Sequence, residues 1–309
     1  MPGWLWLLAL VASVGAGVAW TQTPGSFGRL VFERTNPVLK TQIEPGRGPW
    51  LASFSGLFSL GLLLLTVVLG WNVTGMSLQQ LFSESGLVGA RNLFGQLLTP
   101  SLEGQFLVTV LDKMVETVFL ALMATLIAVP IAFLASFFCA RNLMKGHLAA
   151  RGVYVALRVV FNFMRSVEPL VWAIIFSVWV GIGPFAGMLA LMIHSVAALS
   201  KLYSEQIESI DRPILEAIEA TGANRVQVVW YAVVPQIILP YLSFTIYRWD
   251  INVRMATIIG LVGGGGVGQL LMQYQGLGMW SQVGTIVLVI AIVVWMMDYL
   301  SARIREAIY

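Results

Sequence analysis

Charge is scarce in this sequence: Asp, Glu, Lys and Arg make up 11% of its 309 residues, against roughly 25% in a soluble domain. That excludes an ordinary water-soluble protein. There is one cysteine, Cys139, hence no intrachain disulfide framework and no Cys-based metal site; its plain reading is a packed small side chain. The apolar runs lack the period-two alternation that a closed β-barrel requires. A phosphate-binding G-x-x-x-x-G-K-[ST] loop is absent, as is a His-Glu zinc helix, and no Ser/His/Asp set can be placed from spacing. The chain therefore reads as something other than an enzyme. A net charge of +3 is too small to point to nucleic acid.

What remains is hydrophobic, 58% of the chain. A spanning helix takes about 20 mostly apolar residues, and segments 3–20, 51–71, 110–139, 155–180, 185–203, 237–262 and 283–301 qualify. The fold class is all-α, a polytopic transmembrane helical bundle. The first segment could be a signal peptide, but its flank lacks the usual basic residues, since the first positive charge is Arg29; an uncleaved helix is the preferred reading. Lys and Arg concentrate in 21–50, 140–158, 201–225 and the tail, while 72–105 holds Arg91 alone and 263–282 none. The basic regions are expected on the cytosolic side, with the N-terminus outside and the C-terminus inside.

Between the fifth and sixth segments lies "EAIEATGANRVQVVWYAVVP", residues 216–235, polar and helix-favouring. Gly222 breaks or caps a first short helix, a second runs from Asn224, and Pro235 marks the return to the membrane. Glu216-Ala217-Ile218, three residues, Gly222, nine residues and a closing Ala232-Val-Val234-Pro235 resemble the cytoplasmic "EAA" motif of ABC importer permeases. The resemblance implies a type I ABC importer permease-like fold and a coupling helix at about 208–235, with Glu216, Ala217, Ala220, Gly222 and Pro235 forming the contact to a cytosolic ATPase dimer. ATP and Mg would then sit in that partner, and this chain would bind no cofactor. A second permease copy or a homologous permease, and a periplasmic or lipid-anchored substrate-binding protein, complete the implied assembly in a bacterial inner membrane.

"RSVEPLVWAIIFSVWVGIGPFAGMLALMIHS" (165–195) and "YRWDINVRMATIIGLVGGGGVGQ" (247–269) extend the likeness, over roughly 105–305, to permeases of phosphonate-type importers, whose relatives carry phosphite or other phosphorus oxyanions. Asp250 stands where Glu is expected, and Glu168-Pro169 where Pro-Glu is expected. Residues 1–104, an extension with extra helices and a basic loop, lie outside the likeness to the 105–309 core. Methionine is the alternative substrate, since amino-acid importers share the bundle and elbow; an ATP-independent transporter or channel is the other rival.

Gly263, Gly265 and Gly268 fit G-x-G-x-x-G, but they follow a membrane helix and no acidic partner lies about 20 residues on. With Gly264 and Gly266 they read as a closely packed turn at the outer end of the sixth segment, a periplasmic gate or re-entrant loop. Ionisable residues inside spans usually face a cavity or each other. Arg165 and Glu168 are expected mid-span on the fourth helix, Arg248, Asp250 and Arg254 on the sixth, and His194 on the fifth, so polar groups from three helices should meet at one level. Asp250 with Arg254 and Arg165 with Glu168 have pairing distances along a helix, whereas Arg248 has no partner on its own. All six are candidates for a substrate pathway, with buried bridges as the competing reading.

Overall fold

The computed structural model describes residues 54–75, 77, 79, 82–144 and 148–308. Segment 3–20 and the basic stretch through Arg47 lie outside the described residues. Contacts along the backbone divide the chain at Leu87 and Val88. Before the division runs α1 (Phe54–Thr74), and α2 (Glu84–Leu97) crosses it. In α1 the polar side chains of Thr66, Asn72 and Thr74 each bond a carbonyl four residues back, which satisfies them inside an apolar helix.

The second unit holds α3 (Gly104–Cys139), α4 (Leu148–Ser166), α5 (Pro169–Val180), α6 (Pro184–Glu208), α7 (Arg212–Glu219), α8 (Arg225–Val228), a π-turn (Val229–Val233), α9 (Val234–Gly260), α10 (Gly266–Gly276) and α11 (Trp280–Ile308). Among the described residues α3, α6, α9 with its preceding turn, and α11 are long and apolar enough to cross a membrane. α6 is the central post, with Ala190, Leu191, Ser195, Leu199, Tyr203 and Ile207 all buried along it.

The expected single helix over 155–180 is instead two, bent by 91°. Pro169 explains the break: its ring disfavours helical backbone at the residue before it, and Glu168 is extended at φ −60° and ψ 143°. The pair still runs from one end of the bundle to the other. At one end the Arg158 guanidinium donates to the Cys139 carbonyl at 3.0 and 3.1 Å and pairs with Glu208 at 2.8 Å. At the other, Ile182 and Pro184 lie against Gly263 and Gly265. Trp172 Nε1 donates 3.2 Å to the Met164 carbonyl, bracing the bend. These end contacts fit one broken span.

Two separate hydrophobic cores result. The larger packs Val110, Met114 and Ala124 of α3 with Leu191 of α6, Val253 and Ile259 of α9 and Ile286 of α11. The smaller sits where α6 ends and α9 begins, and unites Ala132, Leu199, Tyr203, Ile207, Val233, Ile237 and Tyr241, with Ile210 and Leu215 packed beneath.

Candidate functional site

Three neighbourhoods contain the residues singled out from sequence. The first is the elbow between α6 and α9. Pro213 opens α7, at a position where a missing N–H costs nothing. Glu216, Ala217 and Ala220 are exposed on it. Gly222 adopts φ +83°, and a Cβ built there would meet nothing within 4 Å, so glycine is required by torsion rather than by space. Asn224 and Gln227 then cap α8 reciprocally: Gln227 N–H donates 2.9 Å to Asn224 Oδ1, and Asn224 N–H donates 2.8 Å to Gln227 Oε1.

Pro235 lies just inside α9 rather than at a break, because the helix is continuous through it. Proline supplies no N–H and crowds the carbonyl four residues earlier, and the backbone widens into the π-turn immediately before it, with Val234 N–H bonding the Val229 carbonyl. Sequence reasoning missed the exposed apolar surface here: Val226, Trp230 and Tyr231 are 77%, 63% and 67% exposed. They belong to the apolar run 226–260 that is long enough to cross a membrane, so their exposure fits a lipid-facing surface where α9 enters the bilayer.

The second neighbourhood is a polar network midway along α3. Asn252 donates to Thr125 Oγ1 at 2.9 Å and to Ser195 Oγ at 2.8 Å. Arg248 Nε donates to the same Ser195 hydroxyl at 3.1 Å. Asn252, Ser195 and Thr125 are fully buried, and Arg248 is 7% exposed. Arg248 is in no ion pair among the described residues, and its Nη2 has no hydrogen-bond partner. A guanidinium this deep normally faces a carboxylate. His194, on the neighbouring turn of α6, has an unpartnered Nδ1 and lies in the field of both Arg248 and Arg165.

Arg254 is engaged differently: it pairs with Asp250 at 2.6 Å and with Asp298 of α11 at 3.3 Å, which accounts for two of the charges as a bridge between spans. Arg165 and Glu168 do not pair. The bend leaves Arg165 exposed in the last turn of α4 and Glu168 exposed at the start of α5, so the expected helical spacing between them does not exist.

In the third neighbourhood, Gly263, Gly265 and Gly266 adopt φ +91°, +81° and +70°. A Cβ on Gly187 of α6 would lie 2.5 Å from the Gly264 carbonyl oxygen, and one on Gly260 2.6 Å from that of Gly265. One on Gly268 would collide with the Thr257 carbonyl. Backbone is thus packed on backbone. The turn is tied to α3, whose Glu116 Oε1 accepts from Gly266 N–H at 3.1 Å and Thr117 Oγ1 from Val267 N–H at 2.8 Å. Neither α3 residue was marked by the sequence, although Glu116 is among the few acids within an apolar run. No group of His, Cys, Asp and Glu that could hold a metal occurs among the described residues.

The family model described as "Binding-protein-dependent transport system inner membrane component" matches residues 111–308. The phosphite transport system permease protein PtxC of Stutzerimonas stutzeri is 35% identical over 72% of this chain and 78% of its own length. The phosphate-import permease protein PhnE of Mycolicibacterium smegmatis is 32% identical over 78% of this chain, a match that spans 44% of that relative. Among solved structures, inward-facing MetNI methionine ABC transporter resembles the fold with a TM-score of 0.54 at 24% identity, over 66% of this chain and 97% of that one.

Proposed function

Because the chain belongs to the family of binding-protein-dependent transport inner-membrane components, the permease subunits of ABC importers, we propose that it carries a phosphonate, phosphite or related phosphorus oxyanion into the cytosol. The observation that carries the substrate class is Arg248: a guanidinium held at mid-span by Ser195 and left without a carboxylate. The planar fork of arginine suits phosphonate oxygens as well as it suits a carboxylate. The likeness to a phosphite permease over most of its length points the same way. A methionine zwitterion has the weaker support, a likeness of fold and a shorter, more distant likeness of sequence.

In this reading two permeases, this chain with a second copy or a homologue, enclose the pathway, and residues 105–309 form the core to which 1–104 are an extension. The basic end of the bundle faces the cytosol, with the N-terminus outside and the C-terminus inside. The elbow docks on an ATPase dimer, which holds ATP and Mg, through Glu216, Ala217 and Ala220. Gly222 and Pro235 shape the lever. A periplasmic or lipid-anchored binding protein delivers the anion to the outer side, where Gly263, Gly264, Gly265, Gly266 and Gly268 form the gate. Arg165, Glu168, His194, Asp250 and Arg254 flank the path. No bond of the substrate changes in this chain. It is moved, not converted.

Uptake by proteoliposomes containing this chain, its ATPase and its binding protein tests the reading, with an alkylphosphonate, phosphite, phosphate and methionine as the compared solutes. ATP-dependent uptake of a phosphorus oxyanion, lost in Arg248→Ala, is the expected result. Uptake of methionine alone would overturn the substrate class, and uptake without ATPase would overturn the importer mechanism.

A further inference from the structure

The elbow is useful as a lever only if the two helices it joins move together, and a pair of tyrosines lies where that requirement falls. Tyr203 is in the last turns of α6 and Tyr241 in the first turns of α9. Their rings stack face to face, centroids 3.8 Å apart and planes 7° from parallel. Both are buried, at 1% and 6% exposure. Offset stacking is the common arrangement of aromatic pairs; here each hydroxyl also crosses to the other helix. Tyr241 Oη donates 2.9 Å to the Tyr203 carbonyl. Tyr203 Oη lies 2.6 Å from Thr245 Oγ1 and 3.4 Å from the Tyr241 carbonyl, and Thr245 Oγ1 is itself 2.8 Å from that carbonyl. Ser136 of α3 lies 3.1 Å from Tyr241 Oη, and Phe133 meets the Tyr241 ring edge-on.

The clasp has a second property: it is the centre of the smaller core, and Leu215 of α7 and Ile210 before it pack against that core. The elbow helix therefore packs on the same core as the clasp, meeting the π-turn that leads into α9. A few residues away, Glu208 at the end of α6 accepts from Arg158 of α4 and from the Arg141 backbone N–H at 2.8 and 2.7 Å, so the same base is tied to α3 and α4. Buried, fully used hydroxyls on stacked rings give a joint that resists both sliding and splaying.

We propose that Tyr203 and Tyr241 are the positioning pair that makes the elbow a rigid lever, holding α6 and α9 as one body beneath α7. Displacement of α7 by the ATPase then reaches both spans together, and with them Ser195 on α6 and Arg248 on α9. Without the clasp, the same displacement is absorbed by spreading the two helices. The proposal rests on the reading of the elbow as the ATPase contact.

The test uses the complete complex in proteoliposomes, with ATP hydrolysis and solute uptake measured on the same preparation. Thr245→Val removes the contact to Tyr203 Oη, Tyr203→Phe removes that contact and the one to the Tyr241 carbonyl, and Tyr241→Phe removes those to the Tyr203 carbonyl and Ser136, all while keeping the ring stack. Thr245→Val leaves both tyrosines in place should either Phe variant fail to accumulate. The expected result is hydrolysis within about twofold of wild type with uptake per ATP reduced about twofold to tenfold, the range set by one net hydrogen bond. An unchanged ratio in all three variants overturns the proposal. So does a loss of hydrolysis and uptake in equal proportion, which marks a purely structural pair. Gly222→Pro separates the two layers: if it couples normally, the elbow reading fails. If it uncouples while the clasp variants keep the wild-type ratio, only the clasp fails.

Discussion

The two ends at which α6 meets α9 are built from opposite materials. Around the glycine turn, α6, α9 and α10 meet through backbone, with Gly187, Gly260 and Gly268 each leaving no room for a Cβ. Around the elbow, α6 and α9 meet through large side chains, with stacked tyrosines and committed hydroxyls. The glycine contact leaves no room for any side chain, whereas the tyrosine joint is filled by two of them. At one end of the bundle α6 thus meets the outgoing end of α9 through a glycine turn, and at the other it meets α9 through stacked rings. Even glycine differs in purpose: at Gly268 it is demanded by crowding, at Gly222 by torsion.

The sharpest way to break this contrast is to put a side chain into the crowded end. Gly268→Val would drive a branched Cβ into the Thr257 carbonyl and the Gly260 Cα. The expected cost is about 3 kcal/mol, the upper range for overpacking. Thermal melting of the detergent-purified chain measures it. A melting temperature equal to wild type would show that the turn is looser than its contacts imply.

Arg248→Met probes the network between the two cores. Replacing a buried, unpaired guanidinium by an apolar chain of similar length is expected to leave stability within about 1 kcal/mol or to raise it. Oxyanion uptake, in contrast, should fall by about 100-fold, equivalent to ~2.7 kcal/mol at the pathway. Melting and uptake measured side by side decide the case. If both fall together, Arg248 is a structural member of the Ser195 and Asn252 cluster and not a contact for the anion.

Gly222→Ala carries the comparison to the elbow. No atom stands in the way of the methyl group, so the effect is torsional: about 1–2 kcal/mol for a non-glycine residue in left-handed backbone. The loss should appear in ATPase affinity, measured by titrating the ATPase onto the reconstituted permease, and leave the melting of the bundle nearly unchanged. A melting shift as large as that of Gly268→Val would erase the distinction between the two glycines.

How far these regions could be read from sequence follows from the range of the interactions. The long spans were legible because apolar runs are local, and so was the elbow, where Gly222, the Asn224 start and the spacing to Pro235 lie within one stretch. The bend in 155–180 was also written locally, in Glu168-Pro169, but continuous hydropathy outweighed it and led to one straight helix. The polar network was half legible. Arg248 stood out as an unpaired charge, but Ser195 and Thr125 did not, since such hydroxyls in apolar helices often bond their own backbone, as Thr125 does with the Ala121 carbonyl at 2.8 Å while also accepting from Asn252. The tyrosine clasp joins residues that are far apart in the chain, and its partners are ordinary membrane-helix aromatics until the fold stacks them.

The finest test lies next to Gly222, at the Asn224 cap. Asn224→Ala removes the Oδ1 that accepts from Gln227 N–H, and with it the reason for Gln227 to turn back. A lost N-cap costs about 1 kcal/mol, and α8 is a single turn, so the loss frays it locally. The π-turn and α9 beyond remain anchored by Val233 and Ile237 in the clasp core. Hydrogen exchange should therefore quicken at the backbone amides of 225–228 alone. If exchange also rises across α9 as far as Tyr241, the elbow is not separated from the lever by its buried base, and the clamped end of the molecule is softer than its stacked rings imply.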